Sequence, residues 1–280
     1  MVGMIQALTD TSRAGLLAAI EADIVATRLS NTDVPVEGHV DPDAAWGIAP
    51  DPGARRVVVV RAAFAESAAD RRIGEILDAA DARGAEAMWW LARHHRPADL
   101  ADRLLRHGFE RISETAAMAL DLAALPATFD TPPGLAIEPV TDLDAARAFV
   151  SVIMSDRADA APRLHGGAAG LRIRHIHERL AEDPFPMRFV GWLDGEPVAT
   201  SRLSIVGGAA GLYGVVTVPS ARGRGFGRAL TLTALDAGRR LGLRIATLQA
   251  TELGLPIYRR LGFEELFRYE LLVRPGRGQD

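Results

Sequence analysis

The segment Val216-Thr217-Val218-Pro219-Ser220-Ala221-Arg222-Gly223-Arg224-Gly225-Phe226-Gly227-Arg228 has the residue types of an anion-binding turn between a strand and a helix. Gly223, Gly225 and Gly227 permit positive φ and close backbone approach, and the amides that open the following helix have no intrahelical acceptor. A diphosphate suits such a cradle, and Arg222, Arg224 and Arg228 carry guanidinium forks that match phosphate oxygens. The spacing argues against two common nucleotide loops. Arg228 stands where a dinucleotide fingerprint needs its third glycine, and the Gly-Lys-Ser/Thr of a P-loop is absent.

The elements that must position this loop follow it in order. Leu230, Ala234, Ala237 and Leu241 recur at helical spacing over 229–241, Arg244 to Ala250 reads as a strand, and Leu266 to Val273 reads as a final strand. Between the last two lies Leu255-Pro256-Ile257-Tyr258-Arg259-Arg260-Leu261-Gly262-Phe263-Glu264. The Arg-x-x-Gly-x-Gly loop and Tyr-x-x-Leu-Gly-Phe, in this order and register, resemble the GNAT (Gcn5-related N-acetyltransferase) superfamily.

That resemblance implies an α/β (α+β) fold, with a mixed central sheet flanked by helices. It also implies acetyl-CoA as co-substrate, no metal, and direct attack of an amine acceptor on the thioester in a ternary complex. A bulged strand would offer backbone at Val216, Thr217 and Val218 to pantetheine and the thioester oxygen. The loop from Arg222 through Gly223, Arg224, Gly225, Phe226 and Gly227 to Arg228 would hold the diphosphate. Tyr258 matches the family's general acid, and a phenol near its ordinary pKa of ~10 is protonated at neutral pH. Many relatives carry a Glu base on the central strands, yet no carboxylate occurs from Pro197 to Pro219. Asp156, His165, His175, His177 and Glu178, on the segments that line the acceptor side in the family, are the remaining candidates. His175 and His177 point about 200° apart on a helix, which argues against a shared metal site.

Composition narrows the rest. The chain has 280 residues, 48% hydrophobic and 24% charged, enough for one large domain or two smaller ones. It has no cysteine, hence no disulfide, thiolate metal site or cysteine nucleophile. A net charge of −4 gives no sign of nucleic-acid binding, and the basic residues are all arginine. No apolar run approaches a membrane span, and Leu16 to Ile20 is too short for a signal peptide, so a cytoplasmic protein is expected.

A fainter copy of the C-terminal pattern lies upstream. Arg106-His107-Gly108-Phe109-Glu110 resembles Arg260-Leu261-Gly262-Phe263-Glu264, with Gly74 placed before Gly108 much as Gly227 is before Gly262. The copy predicts strand 56–64, helix 67–83, strand 85–91, helix 98–107 and strand 115–122. It has one glycine and Asp70 where phosphates would lie, and Leu104 in place of Tyr258. Trp89 and Trp90 are expected in core or interdomain packing, and His94-His95 at the surface.

The Pro- and Gly-rich stretch 125–134 reads as a linker. The expected architecture is therefore two acyl-CoA N-acyltransferase-like domains, a degenerate one at 1–124 and a GNAT domain at 135–280. The second opens with strand 135–140, Thr141 as N-cap of helix 143–154, helix 171–182, and strands 189–193, 197–206 and 212–218. Two other readings stay open: a non-catalytic acyl-CoA sensor or interaction module, and a transferase using a different acyl donor.

Overall fold

The computed structural model describes residues 6–30, 33–49, 56–92, 95–155, 167–180, 185 and 187–276. The first half runs α1 (Arg13–Leu29), β1 (Glu37–Val40), β2 (Ala44–Ala49), β3 (Arg56–Ala62), α2 (Ala69–Asp81), β4 (Glu86–Leu91), α3 (Leu100–Arg106) and β5 (Glu110–Asp121). The second runs β6 (Leu135–Pro139), α4 (Leu143–Ser155), α5 (Gly167–Leu180), β7 (Met187–Leu193), β8 (Glu196–Val206) and β9 (Ala209–Thr217). It ends with α6 (Phe226–Arg240), β10 (Ile245–Ala250), α7 (Leu255–Arg260) and β11 (Glu264–Arg274).

All the strands join in one mixed sheet, in the order β1-β2-β3-β4-β11-β5-β10-β9-β8-β7-β6. The two halves exchange their last strands. β11, from the end of the chain, lies between β4 and β5, antiparallel to both, and β5 lies against β10 through Asp121↔Ile245 to Ala116↔Ala250. Alternation along β5 explains how it serves two layers at once: Ala116, Met118 and Leu120 join the core under α6, while Ala117 and Ala119 join the core under α1. Leu272 of β11 is fully buried in the first half's core beside Trp89, Leu100 and Leu104. Trp90 faces the other way, edge-on to Tyr269 of β11 at 5.7 Å, so the two tryptophans divide between core and junction.

Local sequence explains the helices that set the site. α6 places Phe226, Ala229, Leu230, Ala234 and Leu235 against the sheet, and Gly191 of β7 gives Leu230 room, since a Cβ there would stand 2.9 Å from Leu230 Cδ2. α4 begins at Asp142, whose carboxylate accepts from the Ala145 amide at 2.8 Å, so Asp142 rather than Thr141 caps it. The expected elements are present with shifted ends: the helix expected over 67–83 is a 3-10 turn, Glu66–Ala68, followed by α2, and the last strand of the first half starts at Glu110 rather than Thr115.

α1, β1 and β2 were not foreseen. α1 is capped by Ser12, which accepts from the Gly15 amide, and it lays Ile20 and Ile24 across the junction of the halves. No helix among the described residues is long and apolar enough to cross a membrane.

Because Leu272 completes a core built by the other half, Leu272→Ala is expected to lower stability by about 2–5 kcal/mol. The denaturant midpoint measures this, and a change within experimental scatter would contradict the exchanged-strand packing.

Candidate active site

β9 and β10 run parallel only through Ala210↔Ala246 and Gly211↔Thr247, and they part beyond that point. On its other side β9 keeps its ladder with β8 but carries an extra residue: Thr200 pairs with Val216 and Arg202 with Tyr213, so Gly214 and Val215 together oppose Ser201. Gly214 sits at φ 57, and its carbonyl accepts from Thr200 Oγ1 at 2.9 Å. A bulge of this kind bends the strand and turns it from its neighbour. Val215, Val216 and Thr217 thus lie where β10 offers no ladder partner, leaving main-chain groups along that edge for a ligand. On the side away from the gap, Val218 continues the ladder with β8 through its amide, which donates to Val198 O at 2.9 Å.

The chain leaves β9 through a 3-10 turn, Pro219–Ala221, and reaches α6 through the glycine loop. Gly223 at φ 78 and Gly225 at φ 82 both need the left-handed region, and Gly225 is the N-cap of α6. Gly227 has a different reason: a Cβ there would meet Thr217 Oγ1 at 3.4 Å, so helix and strand approach closely. Ala229 N donates to Gly225 O at 3.1 Å, and the amides of Phe226, Gly227 and Arg228 precede this first helical bond.

Arg224 and Arg228 are exposed beside the loop, with Arg224 stacked over Phe226 at 4.8 Å. Arg222 has local work, donating from Nε to Thr217 O at 3.2 Å and so bracing the loop against the strand. Phe226 is buried, so its ring belongs to the core and only its amide faces the loop.

Tyr258 stands on α7, edge-on to Phe263 at 5.8 Å, over Gly254, where a Cβ would come within 3.0 Å of its ring. Burial pushes its hydroxyl up to about 12, and Thr231 of α6 offsets this in part. The phenol is therefore protonated throughout the neutral range. Thr231 follows Phe226 by about one and a half helical turns, so Tyr258 and the glycine loop share one stretch of α6.

Where β9 and β10 begin to part lies a carboxylate that sequence reasoning missed. Asp23 of α1 is wholly buried, and its Oδ2 accepts from Tyr213 Oη at 2.7 Å and Thr247 Oγ1 at 2.9 Å, one from each strand. Thr27 donates to Oδ1 at 3.2 Å. Gly211 makes room for it, since a Cβ there would stand 2.3 Å from Oδ1. Burial raises the carboxyl to about 6 against the pull of these hydroxyls and of Arg202. The available signal was an acid on an apolar helical stripe, Ile20, Asp23, Ile24, Thr27, a place that an Asp seldom occupies without partners.

The expected bases are less central. His177 and Glu178 of α5 are exposed, while His175 is half-buried and held below the usual histidine range by burial and by Arg179 and Arg188. Asp156, His165 and His94 lie outside the described residues. Nearby, Asp33 binds Arg188 at 2.8 Å and Arg202 at 3.1 Å, an ion cluster that ties the chain after α1 to β7 and β8. No group of three or more potential metal ligands occurs among the described residues.

The first half presents the same gap in altered form. β3 and β4 pair as far as Val59↔Trp89 and part, but an isolated bridge, Ala63↔Arg96, closes the gap again. At the start of α2, where phosphates would lie, Asp70 instead accepts from Arg103 at 2.5 Å and from His107 at 3.2 Å. Leu104 is buried in the core where the second half has Tyr258.

Asp23 has a consequence for stability. With its carboxyl raised above the unfolded value of 3.8, the folded chain retains the proton through an interval in which the unfolded chain loses it, so stability falls as pH rises from about 4 to about 6. Asp23→Asn is expected to remove that part of the decline, read as melting temperature against pH for both proteins. Parallel curves would contradict the raised carboxyl.

Comparison with known proteins finds one matching family model and similar folds. Residues 154–263 match the model of the Acetyltransferase (GNAT) family. Among solved structures, a GCN5-related N-acetyltransferase from Kribbella flavida is similar at TM-score 0.68 and 21% identity, over 93% of this chain and 98% of that one. A tandem GNAT protein from the clavulanic acid biosynthesis pathway, solved without AcCoA, is similar at TM-score 0.59 and 16% identity, over 98% of each chain. A GCN5-related N-acetyltransferase from Sphaerobacter thermophilus gives TM-score 0.58 and 20% identity, over 85% of this chain and 83% of that one. No curated protein matches the chain. Residues 154–263 thus match the GNAT family model, within an overall fold similar to that of a tandem GNAT protein.

Proposed function

We propose that residues 135–280 form an N-acetyltransferase unit that moves the acetyl group of acetyl-CoA to an amine, and that residues 1–124 are a degenerate copy joined to it by 125–134. The observation that carries this reading is the parting of β9 from β10 directly before a glycine loop at a helix N-terminus. Pantetheine lies along Val216, Thr217 and Val218, and the diphosphate sits on the loop from Arg222 to Arg228. Acyl transfer needs a donor for the developing oxyanion, and an amide at the bulge supplies it. Where one such donor has been removed from other enzymes the loss was ~3–4 kcal/mol of transition-state stabilisation.

Tyr258 protonates the departing thiolate of CoA. Burial keeps its phenol protonated at neutral pH, as a proton donor must be. The first half does not bind CoA in the same way, because Asp70 and Arg103 fill the start of α2 with their own ion pair. It acts as scaffold, contributing β5 to the edge of β10.

The test is release of CoA thiol from acetyl-CoA in the presence of amines of different classes, namely spermidine, kanamycin, an alanine-initiated peptide and a lysine peptide. Tyr258→Phe is expected to lower kcat roughly 100-fold or more with little change in the dissociation constant for acetyl-CoA. An unchanged kcat would remove the acid role. Acetyl-CoA binding without thiol release for any amine would favour the sensor reading, and preference for another thioester would change the donor.

A further inference from the structure

The second half's strands carry no carboxylate at the gap, and the first half inserts one there. We propose that Asp23 of α1, acting through Tyr213 of β9, is the proton acceptor for the amine in the second half's acyl transfer. This rests on the acyl-transfer reading above.

The geometry has three parts. Asp23 reaches both parting strands, through Tyr213 on β9 and Thr247 on β10, at the last paired position before the gap. Gly211 has no side chain, so the carboxylate occupies the space that a β9 side chain would fill. Two positions beyond Thr247, on the same face of β10, Gln249 has its amide nitrogen and oxygen buried with no hydrogen-bond partner among the described residues. Buried polar atoms are seldom left unpaired, and this amide, on β10 beyond its last pairing with β9, is a group that a bound amine can satisfy.

The Tyr213 hydroxyl donates to Asp23 while its oxygen lone pairs remain able to accept. An arriving ammonium gives a proton to Tyr213 as Tyr213 passes its own to Asp23. The neutral amine then attacks the thioester carbon, forming the C–N bond, and the C–S bond breaks. Tyr258 protonates the sulfur and is restored by the proton left on the new amide nitrogen. Asp23 releases its proton to solvent, so one ammonium and one acetyl-CoA yield one amide, one CoA thiol and one proton.

The raised carboxyl suits this task, being ionised above about pH 6 and a better base than an exposed aspartate. The charged and titratable groups around it are Tyr213 on β9, Arg202 on β8, Tyr269 on β11, and Glu21 and Arg28 on α1. β10 and β5 offer Thr247, Gln249, Ala117 and Ala119, none of which titrates.

Two small nucleophiles test the assignment in the full-length protein: methylamine, protonated at neutral pH, and hydroxylamine, largely neutral there. At pH 7, Asp23→Asn is expected to lower kcat/KM for methylamine by at least about tenfold and for hydroxylamine by less than about twofold, with unchanged acetyl-CoA affinity. The wild-type methylamine profile should steepen below about pH 6, and the variant's should not. Tyr213→Phe, which leaves Thr247 on Asp23, should show the same selectivity and stands in if Asp23→Asn fails to fold. Equal losses for both nucleophiles, or an unaltered profile, would overturn the proposal and make Asp23 a structural tie alone. Wild-type protein that binds acetyl-CoA but transfers to neither nucleophile would remove the acyl-transfer reading itself, and this proposal with it.

Discussion

Every ladder contact of β11 is made with the first half, and the outer edge of β10 is completed by β5. This exchange is the constraint on which the rest depends. β10 is one wall of the gap, and its position is fixed on one side by β5 and on the other only by the short pairing with β9. β10 is held in register by β5 along its whole length, so its position does not depend on pairing with β9 beyond Thr247. α1, crossing the same junction, fastens both walls through a single carboxylate.

The two halves show how one scaffold is kept open or closed by few residues. In the second half, two glycines with positive φ and a close helix–strand contact expose the amides at the start of α6. In the first, Asp70 puts negative charge at the corresponding helix start and satisfies it with Arg103, while the bridge from Ala63 to Arg96 shuts the gap. The favourable field at a helix N-terminus acts on either arrangement. In the first half Asp70 has taken it, and in the second it is the proposed phosphate site.

Much of this was legible in the sequence, where local patterns carry the information. The glycine loop, α6, β10 and the turn that holds Tyr258 follow from residue types and helical or alternating spacing, and the repeat announced the first half. What stayed hidden was long-range. Nothing in β5 or β11 distinguishes pairing within a half from exchange, since their alternation is the same in both cases. β1 and β2 are short, and α1 shows itself in the sequence only as a brief apolar run. Asp23 and Gly211 are separated by most of the chain, so the missing side chain of one and the carboxylate of the other become meaningful only when brought together. The bulge at Gly214 was expected from the family resemblance, yet its glycine and its bond from Thr200 are visible only in three dimensions.

The most direct measurement is calorimetric titration of acetyl-CoA into the wild type and into Gly225→Glu. The substitution puts a charged side chain into a loop position held at φ 82, at the N-cap of α6. One-to-one binding that disappears in the variant is the result this account predicts. A wild type that does not bind acetyl-CoA, or a variant that binds it as well as the wild type, would contradict it.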